Sequence, residues 1–121
     1  MTIEDLQTLC RQLPGVTEDI KWDHHLCFNV GGKMFLITSP DEVPPTASFK
    51  ATPAQFTELL EQPGFAPASH LARYHWLHLD DIGRLSPQRW QQLIRESYRL
   101  VVEKLPLKLR KQLAADGAPI Q

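Results

Sequence analysis

Two strand-like apolar runs, residues 26–30 and 33–38, are joined by nothing but Gly31-Gly32. A parallel pair needs a crossover of a dozen or more residues, so these runs can pair only antiparallel. A Gly-Gly loop suits the primed turns whose twist matches that of the strands they join. Regular pairing across that loop places Val30 opposite Lys33, Phe28 opposite Phe35 and Leu26 opposite Ile37. These pairs share one face, with Phe28–Phe35 as its aromatic anchor. Cys27, Asn29, Met34 and Leu36 are expected on the other face, which is only half polar.

The rest of the chain is organised around that hairpin. Thr2, with Asp5 three residues on, reads as a helix N-cap, and Ile3, Leu6, Leu9, Cys10 and Leu13 form its apolar stripe. Pro14-Gly15 stops this helix, and a first extended segment is expected around Ile20-Lys21-Trp22. Residues 46–51 alternate as a strand, with Ala47 and Phe49 on one side. Thr52-Pro53 opens a second helix that buries Phe56, Leu59 and Leu60, and Pro63-Gly64 ends it. Residues 65–74 read as irregular, with Leu71 as a core contact. In the strand-like run 75–79, Leu77 and Leu79 oppose Trp76 and His78. Ser86-Pro87 then begins the longest helix. Its stripe is Trp90, Leu93, Ile94, Ser97, Tyr98, Val101 and Leu105, and Pro106 separates it from a short basic helix over 107–115. Hairpin strands bounded by helices predict an α+β fold: one antiparallel sheet with helices packed on one face. The 121 residues form a single domain, 1–121, with 117–121 expected to fray.

Composition narrows the functional classes. Hydrophobic residues make up 42%, an ordinary globular share that excludes a disordered tail. The net charge of −1 excludes a generally basic nucleic-acid binder, but it hides an asymmetry. Residues 1–83 carry a net −6, and residues 84–121 a net +5. The N-terminal residues lack a signal-peptide pattern and no apolar run approaches a membrane span, so a cytoplasmic protein without membrane contact is expected. Cys10 and Cys27 form no metal or redox motif and read as reduced core residues.

Catalytic signatures such as G-x-S-x-G, G-x-x-x-x-G-K and H-E-x-x-H are absent, so neither enzymatic activity nor a cofactor is expected. Two weaker constellations remain open. Asp23, His25 and His78 could compose a metal site only if the fold gathers them. Cys27 beside a histidine could act as a nucleophile, although a strand lacks the setting that lowers a thiol pKa. Arg95 and Arg99 lie one helical turn apart, spaced for neighbouring phosphates, but Glu96 and Glu103 can pair with Arg99.

Several short words, in order, resemble the MmcQ/YjbR family of small bacterial proteins. They are Gly31-Gly32-Lys33-Met34-Phe35, Ser48-Phe49-Lys50-Ala51, and Ala68-x-x-Leu71 leading to Trp76. The clearest is Ser97-Tyr98-Arg99-Leu100-Val101 with Lys104-Leu105-Pro106, and the resemblance extends over residues 1–115. It implies a two-layer sandwich similar to the CyaY (frataxin-like) fold, with a double-wing arrangement, and a DNA-binding role. DNA contact would fall to Lys33 and Lys50 on the hairpin wings and to Arg89, Arg95, Arg99, Lys108, Arg110 and Lys111 on the C-terminal helices. The alternative is a binding module for a small molecule or protein, with no nucleic-acid role, using a concave sheet face near Trp22, Trp76 and Tyr98. A monomer is expected in either case.

Overall fold

The computed structural model describes residues 1–119; Ile120 and Gln121 lie outside the described residues. Among the described residues there are four α-helices, and three of them start at a side-chain cap. In α1 (Ile3–Arg11) the Thr2 Oγ1 accepts from the Asp5 N–H at 3.1 Å, and the Asp5 carboxylate accepts from the Thr2 N–H at 2.9 Å. This reciprocal box satisfies two otherwise orphaned donors. Thr52 caps α2 (Pro53–Leu60) and Ser86 caps α3 (Pro87–Val102), each hydroxyl accepting at 3.1 Å from the N–H three residues on. Pro106 precedes α4 (Leu107–Ala115). The fraying expected of residues 117–121 falls partly on Ile120 and Gln121, outside the described residues. The chain leaves α4 through a Schellman turn, with the Ala118 N–H on Leu113 O and the Gly117 N–H on Ala114 O. Among the described residues no helix is long and apolar enough to cross a membrane.

The strands are β1 (Val16–Lys21), β2 (His25–Val30), β3 (Lys33–Ser39), β4 (Thr46–Lys50), β5 (Phe65–Pro67) and β6 (Trp76–Leu79). They form one antiparallel sheet in the order β1-β2-β3-β4-β6-β5. Three features depart from the expected pattern. Trp22 and Asp23 do not extend the first strand: both have positive φ and form the turn into β2. Residues 65–67, read as irregular, form edge strand β5, where Pro67 costs the sheet no interior hydrogen bond. The Gly31-Gly32 hairpin also does not keep regular register. Val30 pairs with Lys33 and Asn29 with Met34, but Phe28 then pairs with Leu36 and Cys27 with Ile37. Phe35 is the extra residue of a β-bulge. Phe35 and Leu36 therefore both join the core, and Phe28–Phe35 is not a cross-strand pair.

α3 lies across β2, β3 and β4, α1 against α3 and β1, and α2 against β5 and β6. Every residue of the expected α3 stripe is buried. Three of them also make polar anchors. Trp90 Nε1 donates to Ile82 O at 2.8 Å, and the Tyr98 hydroxyl donates to Pro14 O at 2.6 Å. Ser97 Oγ donates to Phe35 O at 2.6 Å and accepts from the Lys50 N–H at 3.0 Å. The Phe35 ring stands edge-on to Tyr98, their centroids 5.5 Å apart. Leu71 is only half-buried and stays outside this cluster.

The tip of the β2–β3 hairpin is not a free wing. A Cβ placed on Gly31 would lie 2.8 Å from the Leu105 side chain and 3.0 Å from Leu109, so the turn is seated under the α3–α4 corner. A Cβ on Gly32 would meet nothing. Both glycines have positive φ, so alanine at either costs about 1–2 kcal/mol of backbone strain. Gly31→Ala adds a clash with the corner, and should destabilise by about 1–3 kcal/mol more than Gly32→Ala in urea unfolding. Equal losses would mean that the tip is not clamped. Ser97→Ala strands the Phe35 carbonyl and the Lys50 N–H together. Its expected cost is about 1–3 kcal/mol, read as a lowered urea midpoint at unchanged m-value.

Candidate functional site

The bulge and the alternation of β4 and β6 decide what the sheet face turned away from α1–α4 presents. Met34 and Ile37 from β3, Ser48 and Lys50 from β4, and Trp76 and His78 from β6 all stand outside the core cluster. Over this face runs a groove of about 730 Å³ whose exposed walls are mainly apolar. Trp22, Met34, Ile37, Pro67 and Leu71 supply apolar walls, and Ser39, Thr46, Ser48, His25, His70 and His78 supply polar groups. Among the described residues no carboxylate lines it.

Its polar groups are unevenly satisfied. Ser48 Oγ and His78 Nδ1 share a hydrogen bond at 2.9 Å. His25 Nδ1 is buried without a hydrogen-bond partner, its ring 5.7 Å from that of Trp22 in an edge-on contact. Trp22 is 62% exposed, a large apolar side chain left in solvent at the mouth of the groove. Trp22 (φ +52°) and His70 (φ +65°) both hold the left-handed backbone region, which is costly for bulky side chains. Such strain persists where surrounding structure enforces it, and it clusters at binding sites.

A second, smaller concavity of about 160 Å³ adjoins the first and shares Met34 with it. Lys33, Lys50 and Lys104 line it with Tyr74, Trp76 and Val101. Among the described residues none of these lysines joins an ion pair. Lys33 and Lys50 are readable from the sequence as candidate anion contacts. Lys104 is not, because it reaches Lys33 only through the clamp of Gly31 beneath Leu105.

The remaining sequence candidates do not all share one concavity. Arg99 is held at 2.6 Å by Glu96 and is also paired with Glu103, both from its own helix. These partners raise its pKa further, chiefly through the hydrogen bonds Arg99 donates to Glu96. Arg110 donates to Leu105 O at 3.0 Å, and Arg89 to Gln92 Oε1 at 3.2 Å. Arg99, Arg110 and Lys111 border a small cleft between α3 and α4 that also contains Glu103. Arg95 lies with Arg99 and Glu96 on a shallower surface. Arg89 and Lys108 border neither cleft.

The expected aromatic pocket is likewise divided. Trp22 lines the groove and Trp76 the lysine cleft, whereas Tyr98 lines neither. Tyr98 is fully buried on the helix side of the sheet, and burial pushes its hydroxyl pKa up to about 12. His25 and His78 both line the groove, but Asp23 does not. Among the described residues no group of three or more His, Cys, Asp or Glu side chains is placed to hold a metal ion. Both cysteines are buried and free, and burial raises both thiol pKa values, the opposite of what a nucleophile needs. Asp80 pairs with Arg84 at 2.6 Å and Asp81 accepts from the Gly83 N–H at 2.8 Å, both structural roles.

These features define a small two-layer α+β sandwich with one bare, concave sheet face. Comparison with known proteins narrows that class. The chain belongs to the YjbR family, whose family model matches residues 11–100. It is 31% identical over 118 residues to the uncharacterised protein YjbR of Escherichia coli K12, an alignment covering 93% of this chain and 98% of that one. The uncharacterised protein YbdF of Escherichia coli O157:H7 is 29% identical over 89 residues, 71% of either chain. Among solved structures, Deinococcus radiodurans protein DR2400 matches with a TM-score of 0.83 at 30% identity, over 93% of this chain and 88% of that one. A Pseudomonas syringae protein matches with a TM-score of 0.68 at 19% identity, covering 83% of this chain and 98% of that one, a likeness of fold alone.

Proposed function

We propose that this protein is a binding module that holds a small, largely apolar ligand in the groove on the sheet face turned away from α1–α4. The observation that carries this reading is the groove itself. Its volume of about 730 Å³ falls within the range of small-molecule sites, and its apolar walls surround a few polar groups. The neutral dye Nile red tests it. Its emission should rise and shift to the blue on binding the wild type. Ile37→Glu places a charge in the groove and should abolish that response while circular dichroism stays native. An equal response from both proteins would refute the groove as the site.

A second reading is nucleic-acid binding, the role implied by the family resemblance. The observation favouring it is the convergence of Lys33, Lys50 and Lys104 without acidic partners. The arginines of α3 support it less, because Arg99 is already neutralised within its helix. Three phosphate contacts predict an affinity for duplex DNA that falls with salt at a logarithmic slope of about −2.7. Replacing the three lysines with alanine should abolish a low-salt gel shift, whereas Arg95→Ala and Lys108→Ala should leave it intact. No shift by the wild type at high micromolar concentration would remove this reading.

A further inference from the structure

We propose that the sheet face takes a free, single-chain anionic amphiphile: its apolar body in the groove, its phosphate or carboxylate head on Lys33, Lys50 and Lys104. The inference rests on the groove reading above and assigns that groove a ligand class.

The argument begins with strand register. Ser48 pairs with His78, and two residues along the same strands Lys50 pairs with Trp76. The first pair lines the groove and the second lines the lysine cleft. Two residues of antiparallel strand span about 7 Å, so the two concavities lie end to end along the strands. Met34 forms a wall of both, so they adjoin without an intervening element.

Charge distinguishes the two ends. Among the described residues neither concavity has an acidic residue in its lining, and all three lysines gather at one end. A wholly apolar ligand would leave those ammonium groups without use. A bare anion would meet only solvated lysines, which bind weakly alone. A molecule with both parts uses both ends. Lysine ammonium groups are point charges on flexible stems, so they accept a carboxylate or a phosphate without demanding bidentate geometry. The adjacent hydrophobic wall is contributed by Trp76 and Val101.

Decyl phosphate, decanol and inorganic phosphate, each at a concentration where the amphiphiles are monomeric, test the proposal by calorimetry on the full chain. Decyl phosphate should bind about tenfold more tightly than decanol, the combined effect of three partly exposed charge contacts. Inorganic phosphate should not bind measurably. The preference should shrink with added salt. Replacing Lys33, Lys50 and Lys104 with glutamine should bring decyl phosphate down to the affinity of decanol and leave Nile red binding unchanged. The single variants should each remove part of the preference, which keeps the test available if the triple variant does not fold. Equal wild-type affinities for decyl phosphate and decanol would overturn the proposal while leaving the groove reading standing. Binding of neither, with no Nile red response, would overturn both. Binding only to anionic vesicles, and not to monomeric decyl phosphate, would overturn the free amphiphile in favour of a membrane surface.

Discussion

One hydroxyl holds the two layers in register. The pairing of β3 with β4 runs from Ser39–Thr46 to Leu36–Phe49 and goes no further. Just beyond the last pair, the Phe35 carbonyl and the Lys50 N–H are bridged by Ser97 Oγ from α3. The helix thus supplies the next rung of the sheet, where the bulge at Phe35 has interrupted the ladder. This fixes both the position of α3 along the strands and its rotation. Tyr98 is then set on the Pro14 carbonyl, and Trp90 on the Ile82 carbonyl. A buried polar network of this kind is costly if left incomplete, so it selects one arrangement of helix on sheet.

Seating α3 in this way also determines the charged surface. At its C-terminal end the helix places Leu105 over the hairpin turn, which brings Lys104 to Lys33 and Lys50. The arginines midway along α3 are treated differently by the same periodicity. Glu96 and Glu103 fall three and four residues from Arg99 and hold it on the helix surface. The C-terminal +5 of the sequence is therefore not one positive face. Arg99 is offset by two of the acids already counted in that +5, and Lys104 combines with lysines from the acidic N-terminal portion of the chain.

The features legible in the sequence are those set by neighbours a few residues apart. Thr2 with Asp5, Thr52-Pro53 and Ser86-Pro87 mark their helix starts because capping is a three-residue interaction. The α3 stripe is legible because one helix face meets one sheet face. What was not legible depends on distant contacts. Strict alternation misplaced Leu36 because nothing local to 33–38 marks the bulge; its cause lies in α3. Residue type groups Tyr98 with Trp22 and Trp76, yet its ring belongs to the opposite face of the sheet. β5 escaped notice because three residues ending in proline carry no periodic signal. Of the site, Trp22, Lys33 and Lys50 were nameable in advance, while His25 and His78 could be grouped only as a possible metal site. The concavity that unites them is a property of the folded sheet.

The bulge has a further consequence. If Phe35 were deleted, Val30–Lys33, Asn29–Met34, Phe28–Leu36 and Cys27–Ile37 would form an unbroken two-residue-loop hairpin, with every other side chain on the face it now occupies. The hairpin has no need of Phe35. Its ring meets Tyr98 and its carbonyl accepts a hydrogen bond from the Ser97 hydroxyl, both on α3. It is an inserted adaptor, one residue added to a strand on behalf of a helix some sixty positions later in the chain.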